Sequence, residues 1–490
     1  MEQQYDVIVI GAGIGGATCA ALLAKRGLKT LLVDKNSIPG GKAITMSKQG
    51  FRYEFWPICG GPSLNSQFAA VLQELGLAGE VELLMPQQAA MLMYRRAGSD
   101  RYEGRVGPAI PDPEGPLGML ELLALQAESL PEVARLLSDL VQLTSEEIAR
   151  LEHVTFADFL ARYQLPKPFV SYMGLWSNIV FVVPFDLLAA SEAVRTFQDF
   201  AQGGAARYHS GGFGRVAEVC CQAVERFGGT VLLKTRVDGI RVVDGAVAGI
   251  VTDKGRFDAP IVVSNAGIQP TVLRLVGAEH FDRSYLSYVR GLVPSWGIMG
   301  IRYFLNKPFF DYPMYLAFSD DSYLDTARFL KMKAGAVPDE LVVFNVVPAV
   351  YDPALAPPGK QCALVGTICS PDPNLSYQET MWAKLDAMVT RLWPGLQECV
   401  DLKEHYSTGQ VSALTRDAVL PGQGGECIGL AQIVGQCGKQ KPSAQPPLRG
   451  LFFVGCDAGG YGCGTHQAAD SGVNVANLVQ REHLIRATAY

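Results

Sequence analysis

Short apolar runs alternate with glycine turns and helical stretches along the chain. Residues 5–10, YDVIVI, predict a buried β-strand because most of their side chains are apolar and several are β-branched. The run ATCAALLAKRG follows three spaced glycines and predicts a helix that ends at Gly27. A second strand, TLLVD, then ends at Asp34. The order strand, glycine turn, helix, strand predicts an α/β sheet with a site for a nucleotide phosphate.

The same pattern returns in the second half of the chain. A helix is predicted over 215–227, where apolar residues recur at helical spacing, and the dipeptides at 244–245 and 254–255 predict hairpin turns. The strand IVVSNAG follows them and is expected to rejoin the α/β sheet. Residues 452–472, FFVGCDAGGYGCGTHQAADSG, predict another strand, glycine turn and helix. Two glycine turns, one near each end of the chain, therefore frame the expected nucleotide site.

Long apolar segments between these turns predict the wall of a ligand cavity. Residues 168–185, PFVSYMGLWSNIVFVVPF, are uncharged, but prolines near both ends and internal Ser, Asn and Gly disfavour a membrane span. We interpret them as buried wall, with shallow membrane contact as the alternative. Residues 118–143 predict amphipathic, core-facing helices, and residues 293–304 add aromatic and aliphatic wall. The expected partner is therefore an apolar small-molecule substrate.

Composition and charge narrow the class of protein. The 490 residues are enough for two domains, and 48% apolar with 18% charged residues indicates a globular chain. The net charge of -6 and the lack of a basic cluster argue against a nucleic-acid partner. Eleven cysteines without a CxxC pair favour reduced thiols over disulfides or a zinc site. Because a strand begins within five residues of the start, no signal peptide is expected. The expected location is cytoplasmic, with peripheral membrane contact left open.

The first glycine turn has the GxGxxG spacing of a dinucleotide-binding site. Gly11 permits the tight turn, Gly13 lets the backbone approach a pyrophosphate, and Gly16 lets helix and strand pack closely. Asp34 stands where a carboxylate accepts hydrogen bonds from a ribose diol. This fingerprint alone fits either NAD or FAD.

The segment SIPGGKA, residues 37–43, favours FAD over NAD. Gly40 and Gly41 give close backbone access directly after the acidic residue, and Lys42 brings a cation to the phosphates or the ribityl chain. A nicotinamide-binding fold more often continues into a helix at this point. No second complete GxGxxG with its own strand and acid follows, so no dedicated nicotinamide domain is expected.

Seven motifs in order resemble the FAD-dependent phytoene desaturase family: VIVIGAGIGG, PGGK, SGGFGRV, TRVDGI, IVVSNAG, DPALAPPGK and RGLFFVGCDAGG. That family includes carotenoid desaturases, carotenoid isomerases and retinol saturases, and is related to amine oxidases. The resemblance implies a glutathione-reductase-like FAD-binding Rossmann domain with an inserted sheet-and-helix substrate domain. The FAD-binding part would comprise 1–80, 205–285 and 400–490, and the substrate domain 81–204 and 286–399.

The resemblance also implies which residues bind FAD. The first turn would hold the pyrophosphate, Asp34 the adenosine ribose, the backbone of Val237 the adenine edge, and Asp457 would face the ribityl and phosphate groups. The chain departs from the family at Lys42, where arginine is usual, and in GGYGCGTH, where a proline-containing loop is usual. The complete implied set is Gly11, Gly13, Gly15, Gly16, Asp34, Lys35, Gly40, Gly41, Lys42, Val237, Gly455, Asp457, Gly464 and Thr465.

Candidate catalytic residues lie in the last glycine turn. Tyr461, Cys463 and His466 are expected beside the isoalloxazine, and His466 can exchange a proton at neutral pH. Glu54 and Trp56 are further candidates for the cavity near the flavin. No Ser/His/Asp order, HExxH or metal-ligand spacing occurs, so no metal site is expected. The electron acceptor is expected to be oxygen, a quinone or another carrier, with NADPH as a visiting donor left open.

Four functions are compatible with these features. The leading hypothesis is an FAD-dependent oxidoreductase that desaturates or saturates a carbon–carbon bond of an apolar, isoprenoid-type substrate. A redox-neutral flavin-dependent isomerase, an amine oxidase and a non-catalytic prenyl-lipid binding protein are the alternatives. The amine oxidase hypothesis rests on kinship and on an aromatic cage formed by Trp56 and Tyr461.

Overall fold

The computed structural model describes residues 3–58, 67–108, 120–203, 207–415 and 418–488. The predicted amphipathic stretch 118–143 therefore begins two residues outside the described chain. The α-helices of the described residues include Ile14–Lys25, Gln67–Leu75, Leu130–Gln142, Ser145–Arg150, Phe156–Leu160, Lys167–Val180, Ala190–Gly203, Gly214–Arg226, Arg283–Gly291, Thr326–Lys333, Pro348–Tyr351, Gln378–Leu392, Thr408–Leu414 and Thr465–Thr488.

A five-stranded parallel sheet unites three distant parts of the chain. Every residue of its three central strands is buried, which explains their continuous apolar sequences. The predicted strand, turn, helix, strand unit and the return of IVVSNAG to the same sheet are both confirmed. The fold is thus α/β with a Rossmann-like sheet, as predicted. Its strands in spatial order are Thr230–Leu232, Thr30–Val33, Val7–Ile10, Val262–Ser264 and Leu451–Phe453.

Three helices cover this sheet. The first helix, Ile14–Lys25, packs against both Gly214–Arg226 and the last helix, Thr465–Thr488. A Cβ at Gly15 would lie 2.9 Å from the Cα of Gly455, so only glycine allows this close approach. The first helix is buried on nearly all sides, because helices cover it from outside. The two ends of the chain are therefore packed against each other.

A four-stranded sheet follows the helix Gly214–Arg226. Its three antiparallel strands are joined at the two predicted hairpin turns. Asp244 and Gly245 both have positive φ, at 50° and 70°, as a two-residue type I′ turn requires. The strands in spatial order are Gln3–Gln4, Gly255–Asp258, Ala246–Thr252 and Val237–Val243.

A seven-stranded mixed sheet forms the inserted part of the molecule, with a hydrophobic core of its own. Because it includes Val400–Tyr406, the proposed third FAD-binding segment begins after that strand rather than at residue 400. The strands in spatial order are Val400–Tyr406, Gly297–Leu305, Gln361–Cys369, Val343–Val346, Met314–Ser319, Gln88–Arg95 and Glu103–Pro108. A further hairpin pairs Thr45–Lys48 with Phe51–Glu54, and a separate two-stranded antiparallel sheet pairs Leu83–Leu84 with Tyr208–His209.

The apolar run 168–185 forms most of the helix Lys167–Val180 and the segment after it. The amide of Asn178 is satisfied inside the protein, where its Nδ2 donates to the carbonyls of Val183 and Leu324 at 2.9 and 3.0 Å. Among the described residues, no helix is both long and apolar enough to cross a membrane. The prediction of a buried wall agrees with this placement, since Ile179, Val180 and Val182 line the main cavity.

Candidate active site

A large cavity lies where the parallel sheet, the last glycine turn and the inserted part meet. It encloses about 1940 Å³, counting the space at its open mouth. Its lining comes from three groups of residues: the first glycine turn with Asp34, Thr235 and Val237, which we call the nucleotide end, the last glycine turn, and residues of the inserted part. The cavity therefore joins all the segments that the sequence motifs single out.

Asp34 organises the first glycine turn from the end of its strand. The backbone N–H of Ala12 donates to Oδ2 at 2.7 Å, and that of Asn36 donates to Oδ1 at 2.7 Å. Burial raises the pKa of Asp34, and these two donors act against that rise. Each carboxylate oxygen keeps a lone pair for a ribose hydroxyl. Asp34 thus lines the cavity with its orientation already set.

Asn265 lies between the two glycine turns. Its Nδ2 donates to the carbonyl of Gly11 at 3.4 Å, and a Cβ at Gly13 would lie 2.7 Å from the same atom. A Cβ at Gly455 would lie 2.4 Å from Asn265 Oδ1. One amide side chain therefore packs against both turns and requires glycine in each of them.

Gly16 supports the first turn from beneath and is absent from the cavity lining. A Cβ there would lie 2.0 Å from the carbonyl oxygen of Gly11. This geometry matches the packing role predicted for Gly16 and corrects its inclusion among residues that touch the pyrophosphate. Gly11, Gly13 and Gly15 do line the cavity.

The PGGK segment closes over the first turn. The N–H of Gly40 donates to the carbonyl of Ala12 at 2.9 Å. A Cβ at Gly41 would lie 3.1 Å from the Cα of Gly13. Lys42 lines the cavity with its Nζ 4.0 Å from the carboxylate of buried Glu426, and Lys35 lines the cavity too. The predicted close backbone access is therefore present.

These features fit FAD. The first helix and the last helix both begin at the cavity, and their first N–H groups have no partner within the helix. Neither helix has an acidic side chain in its first turn, so both starts favour an anion such as a diphosphate. The glycines let the two turns and Asn265 pack closely, which leaves the backbone of both turns at the cavity surface.

Asp457 lines the cavity and is held by two backbone donors. Its Oδ2 accepts from the N–H of Ile268 and its Oδ1 from the N–H of Leu430, both at 3.0 Å. The buried carboxylate therefore fastens the last turn to two other segments. Like Asp34, it can accept further hydrogen bonds, so its contact to the ribityl and phosphate groups stays a prediction.

Tyr461 is wrongly placed by the sequence prediction. Its side chain is 55% exposed and absent from the cavity lining, and the Nζ of Lys441 lies 5.5 Å from its ring centre. The N–H of Tyr461 donates to Asp470 at 2.8 Å. Successive glycines with positive φ turn this side chain outward. Tyr461 and Trp56 therefore form no aromatic cage.

Lys441 holds the last turn from inside the protein. Its Nζ donates to the carbonyl of Gly460, and burial lowers the pKa of this lysine. Gln432 Nε2 donates to the carbonyl of Gly462 at 2.8 Å. Neither Lys441 nor Gln432 belongs to a motif, so sequence analysis did not identify them.

Cys463 and His466 do line the cavity, together with Gly464 and Thr465. The thiol of Cys463 donates to the carbonyl of Val180 at 2.9 Å, which joins the last turn to the inserted part. His466 packs edge-on against the ring of Phe68 at 5.9 Å.

Behind Phe68 lies His209, which sequence analysis did not single out. It is fully buried, and its two ring nitrogens have no hydrogen-bond partner in the described chain. Burial and the nearby His466 lower the pKa of His209 to about 3.

Glu54 and Trp56 differ in their position relative to the cavity. Trp56 lines the cavity, as predicted, whereas Glu54 is absent from the lining. The carboxylate of Glu54 accepts from the N–H of Phe213 at 3.0 Å, from the hydroxyl of Thr45 at 3.2 Å and from the hydroxyl of Tyr208. Glu54 therefore joins the Thr45–Lys48 hairpin to the SGGFG segment, and it is no candidate for chemistry in the cavity.

The inserted part contributes an apolar chamber to the cavity. Its aliphatic and aromatic side chains come from two helical segments and from the seven-stranded sheet. The members are Ile179, Val180, Val182, Phe200, Ile298 and Phe344. The cationic lining residues come from other segments: Lys35 follows Asp34, Arg236 precedes Val237, Arg274 lies on a helix that packs against the strand Val237–Val243, and Lys42 belongs to the PGGK segment.

Similarity to known proteins defines the class of protein to which the chain belongs. Residues 6–317 match the FAD dependent oxidoreductase family, and the chain belongs to that family. Its cofactor is FAD, and the protein is an FAD-dependent oxidoreductase. The resemblance found in the motifs is thereby confirmed.

Individual relatives refine the picture. The chain is 26% identical to the phytoene desaturase of Phycomyces blakesleeanus, over 93% of this chain and 82% of the relative. It is 24% identical to prolycopene isomerase 1 of an Oncidium hybrid cultivar, over 82% and 72% of the two chains. An oxidoreductase from Methanosarcina mazei has the same fold, with a TM-score of 0.73, 18% identity, and coverage of 97% of this chain and 100% of the other.

Proposed function

We propose that this flavoprotein oxidises or reduces a carbon–carbon bond of an apolar, isoprenoid-type substrate. The observation that carries the proposal is the continuity of the cavity, which runs from the two glycine turns into the apolar chamber of the inserted part. The names of relatives support it, since one is a phytoene desaturase and another a prolycopene isomerase.

Within this function, the proposed FAD contacts divide between the two turns. Gly11, Gly13 and Gly15 take the pyrophosphate at the start of the first helix, and Asp34 takes the adenosine ribose. The backbone of Val237 meets the adenine edge, and Lys35 lies near the same end. We assign the ribityl and flavin half to Gly40, Gly41, Lys42, Gly455, Gly464 and Thr465. All of these residues line the cavity.

The chain's own residues shape the reaction. FAD, when bound, supplies the two-electron oxidation or reduction of the carbon–carbon bond. Trp56, Ile298 and Phe344 exclude water from the chamber and orient an apolar chain against the flavin half. His466 is the lining residue that can hold or release a proton near neutral pH. We assign it that role, and a His466→Asn variant tests it through the pH profile of flavin reduction, which should flatten between pH 5 and 8.

The electron acceptor and a membrane contact complete the proposal. Oxygen, a quinone or another carrier would meet the cavity at its open mouth, and an apolar substrate would enter by the same route from a membrane surface. Stopped-flow reoxidation by air and by a soluble quinone ranks the acceptors, and flotation with phospholipid vesicles tests the contact. Failure to float at low and high salt would exclude the membrane route.

The decisive experiment is anaerobic flavin spectroscopy on the purified holoprotein. Oxidised protein receives a saturated isoprenoid, and dithionite-reduced protein receives the matching polyene. Bleaching in the first case, or recovery of the flavin bands in the second, supports carbon–carbon redox chemistry and sets its direction. Unchanged spectra across saturated isoprenoids and polyenes would contradict the proposal.

A redox-neutral isomerase is the second candidate, because one relative is named a prolycopene isomerase. The same chamber would hold a polyene while one double bond rotates. Mass spectrometry of the product separates the two functions, since isomerisation leaves the mass unchanged and desaturation removes two hydrogens. A product of unchanged mass with altered retention, formed only by reduced protein, would favour the isomerase.

A further inference from the structure

Two polar side chains of one helix line the cavity, Thr196 buried in its wall and Asp199 exposed to solvent. Thr196 and Asp199 belong to Ala190–Gly203 and line the cavity beside Phe200. They lie three residues apart, so they share one face of the helix with Phe200. In the part of the chain that the structure describes, no hydrogen bond or ion pair engages the Thr196 hydroxyl or the Asp199 carboxylate.

Two further side chains hold this helix in place, Gln198 opposite Thr196 and Arg195 one turn before Asp199. Gln198 Nε2 donates to the carbonyls of Val141 and Leu143 at 3.2 and 2.9 Å. Arg195 donates to Glu192 at 2.7 Å and lies 3.5 Å from buried Glu152. The helix is therefore fixed in rotation, and Thr196 and Asp199 keep their direction toward the cavity.

Their chemistry contrasts with that of the surrounding wall. The neighbouring lining residues are aliphatic or aromatic, and the cationic lining residues come from other segments. Desolvation raises the pKa of Asp199, as expected for a carboxyl without a nearby cation. A pure hydrocarbon would leave the buried Thr196 hydroxyl without a partner, which weakens binding, whereas the exposed Asp199 carboxylate stays solvated until a polar end group reaches it.

We propose that Thr196 and Asp199 are specificity-determining residues for a hydroxyl group at one end of an otherwise apolar chain, so that the preferred ligand is an isoprenoid alcohol. A hydroxyl donates to the carboxylate and accepts from the threonine, which matches this pair on both sides. An ammonium group can donate to both the carboxylate and the threonine oxygen but accepts no hydrogen bond, so it leaves the O–H donor of the threonine unused. This inference rests on the proposed function and adds the end group to it.

The test is a binding titration rather than turnover. Oxidised holoprotein is titrated anaerobically with geranylgeraniol, with the hydrocarbon of the same skeleton and with the corresponding amine, and the shift of the flavin bands gives each dissociation constant. The alcohol should bind at least about tenfold more tightly than the hydrocarbon, because a hydrogen bond to a charged group contributes about 1.5–3 kcal/mol.

Variants locate the effect. Asp199→Leu should abolish the preference for alcohol and leave hydrocarbon affinity equal or higher, and Thr196→Val should reduce the preference severalfold. Asp100→Leu makes the same chemical change at an exposed position of the inserted part and should alter nothing. The expected losses of preference in Asp199→Leu and in Thr196→Val both require that these two side chains contact the hydroxyl.

The outcomes separate this inference from the proposed function. Equal binding of alcohol and hydrocarbon, with no response to Asp199→Leu, overturns the inference while isoprenoid binding stands. Tighter binding of the amine than of the alcohol overturns the hydroxyl assignment. If none of the three ligands binds, both this inference and the isoprenoid part of the proposed function fail.

Discussion

The two glycine turns of the cavity differ in what requires their glycines. In the first turn, a Cβ at Gly16 would lie 2.0 Å from a backbone carbonyl and a Cβ at Gly13 would lie 2.7 Å from Asn265. In the last turn, Gly455 is equally crowded, but Gly464 has no neighbour within 4 Å of its Cβ position. Gly464 is glycine for its φ of 55° alone.

This difference shows two ways of building a phosphate-binding backbone. The first turn is packed against the sheet, the helix and Asn265, and its backbone is also held by Asp34 and by the Asn265 amide. The last turn is suspended from Gln432, Lys441 and Asp470 through hydrogen bonds to its backbone. We therefore expect substitutions in the first turn to act on folding and those in the last turn on cofactor affinity.

The largest expected effect is that of Gly16→Ala. The new methyl group meets a carbonyl that cannot move without breaking the turn, so we expect a loss of more than about 4 kcal/mol and a protein without bound flavin. Thermal unfolding and the visible spectrum measure both. A yellow, stably folded Gly16→Ala protein would contradict the claim that packing fixes the first turn.

His209 tests the support behind the last turn. Burial lowers its pKa to about 3 from 6.5, so between these values the unfolded chain binds a proton that the folded chain does not. Stability therefore falls as pH drops below 6.5, by about 3 kcal/mol between pH 7 and pH 4.

The variant His209→Phe isolates this effect, because it keeps a ring against Phe68 and Phe213. Urea unfolding at the two pH values should show about 3 kcal/mol less acid destabilisation in the variant than in the unmodified protein. The same pH dependence in both proteins would mean that His209 does not lie neutral beside His466.

Lys441→Met removes a donor from the last turn without touching the cavity. The carbonyl of Gly460 loses its charged partner, so FAD affinity should fall about tenfold while the unfolding midpoint of the apoprotein changes little. Lys439→Met, two residues earlier in an exposed side chain, is the matched control. Equal FAD affinity in both variants would contradict the claim that Lys441 holds the last turn in its FAD-binding shape.

The smallest effect is expected from Gly464→Ala. With open space around the Cβ position, only the left-handed backbone is strained, at about 1 kcal/mol. Flavin titration should show a change in dissociation constant of severalfold at most. A loss as large as that of Gly16→Ala would abolish the distinction between the two turns.

The sequence pattern predicted those strands, helices and turns that depend on residues close together in the chain. The strand Val7–Ile10, the helix Gly214–Arg226 and the two hairpins all follow from spacing and turn chemistry within a few residues. FAD could be predicted because its glycine motifs are short and contiguous. The resemblance of those motifs to a known family supplied the inserted domain.

Features that depend on distant contacts were not predictable. Asn265 contacts two turns that are far from it in sequence, and no local signal marks that role. Tyr461 was wrongly placed at the flavin. Its outward direction depends on the positive φ angles of the glycines around it, which the sequence does not reveal. Asp457 anchors the last turn to two distant segments, and no local signal marks that role.

The order of strands in the parallel sheet has a consequence for the nascent chain. The edge strand Leu451–Phe453 leaves the ribosome roughly 20–90 s after Val7–Ile10, at about 5–20 residues per second. Until then the strand Val262–Ser264 lacks its outer neighbour, and the first glycine turn lacks the partner that completes its pocket. The pocket is therefore complete only after the last strand and glycine turn have emerged, and the waiting apolar edge is the surface that a chaperone would have to shield.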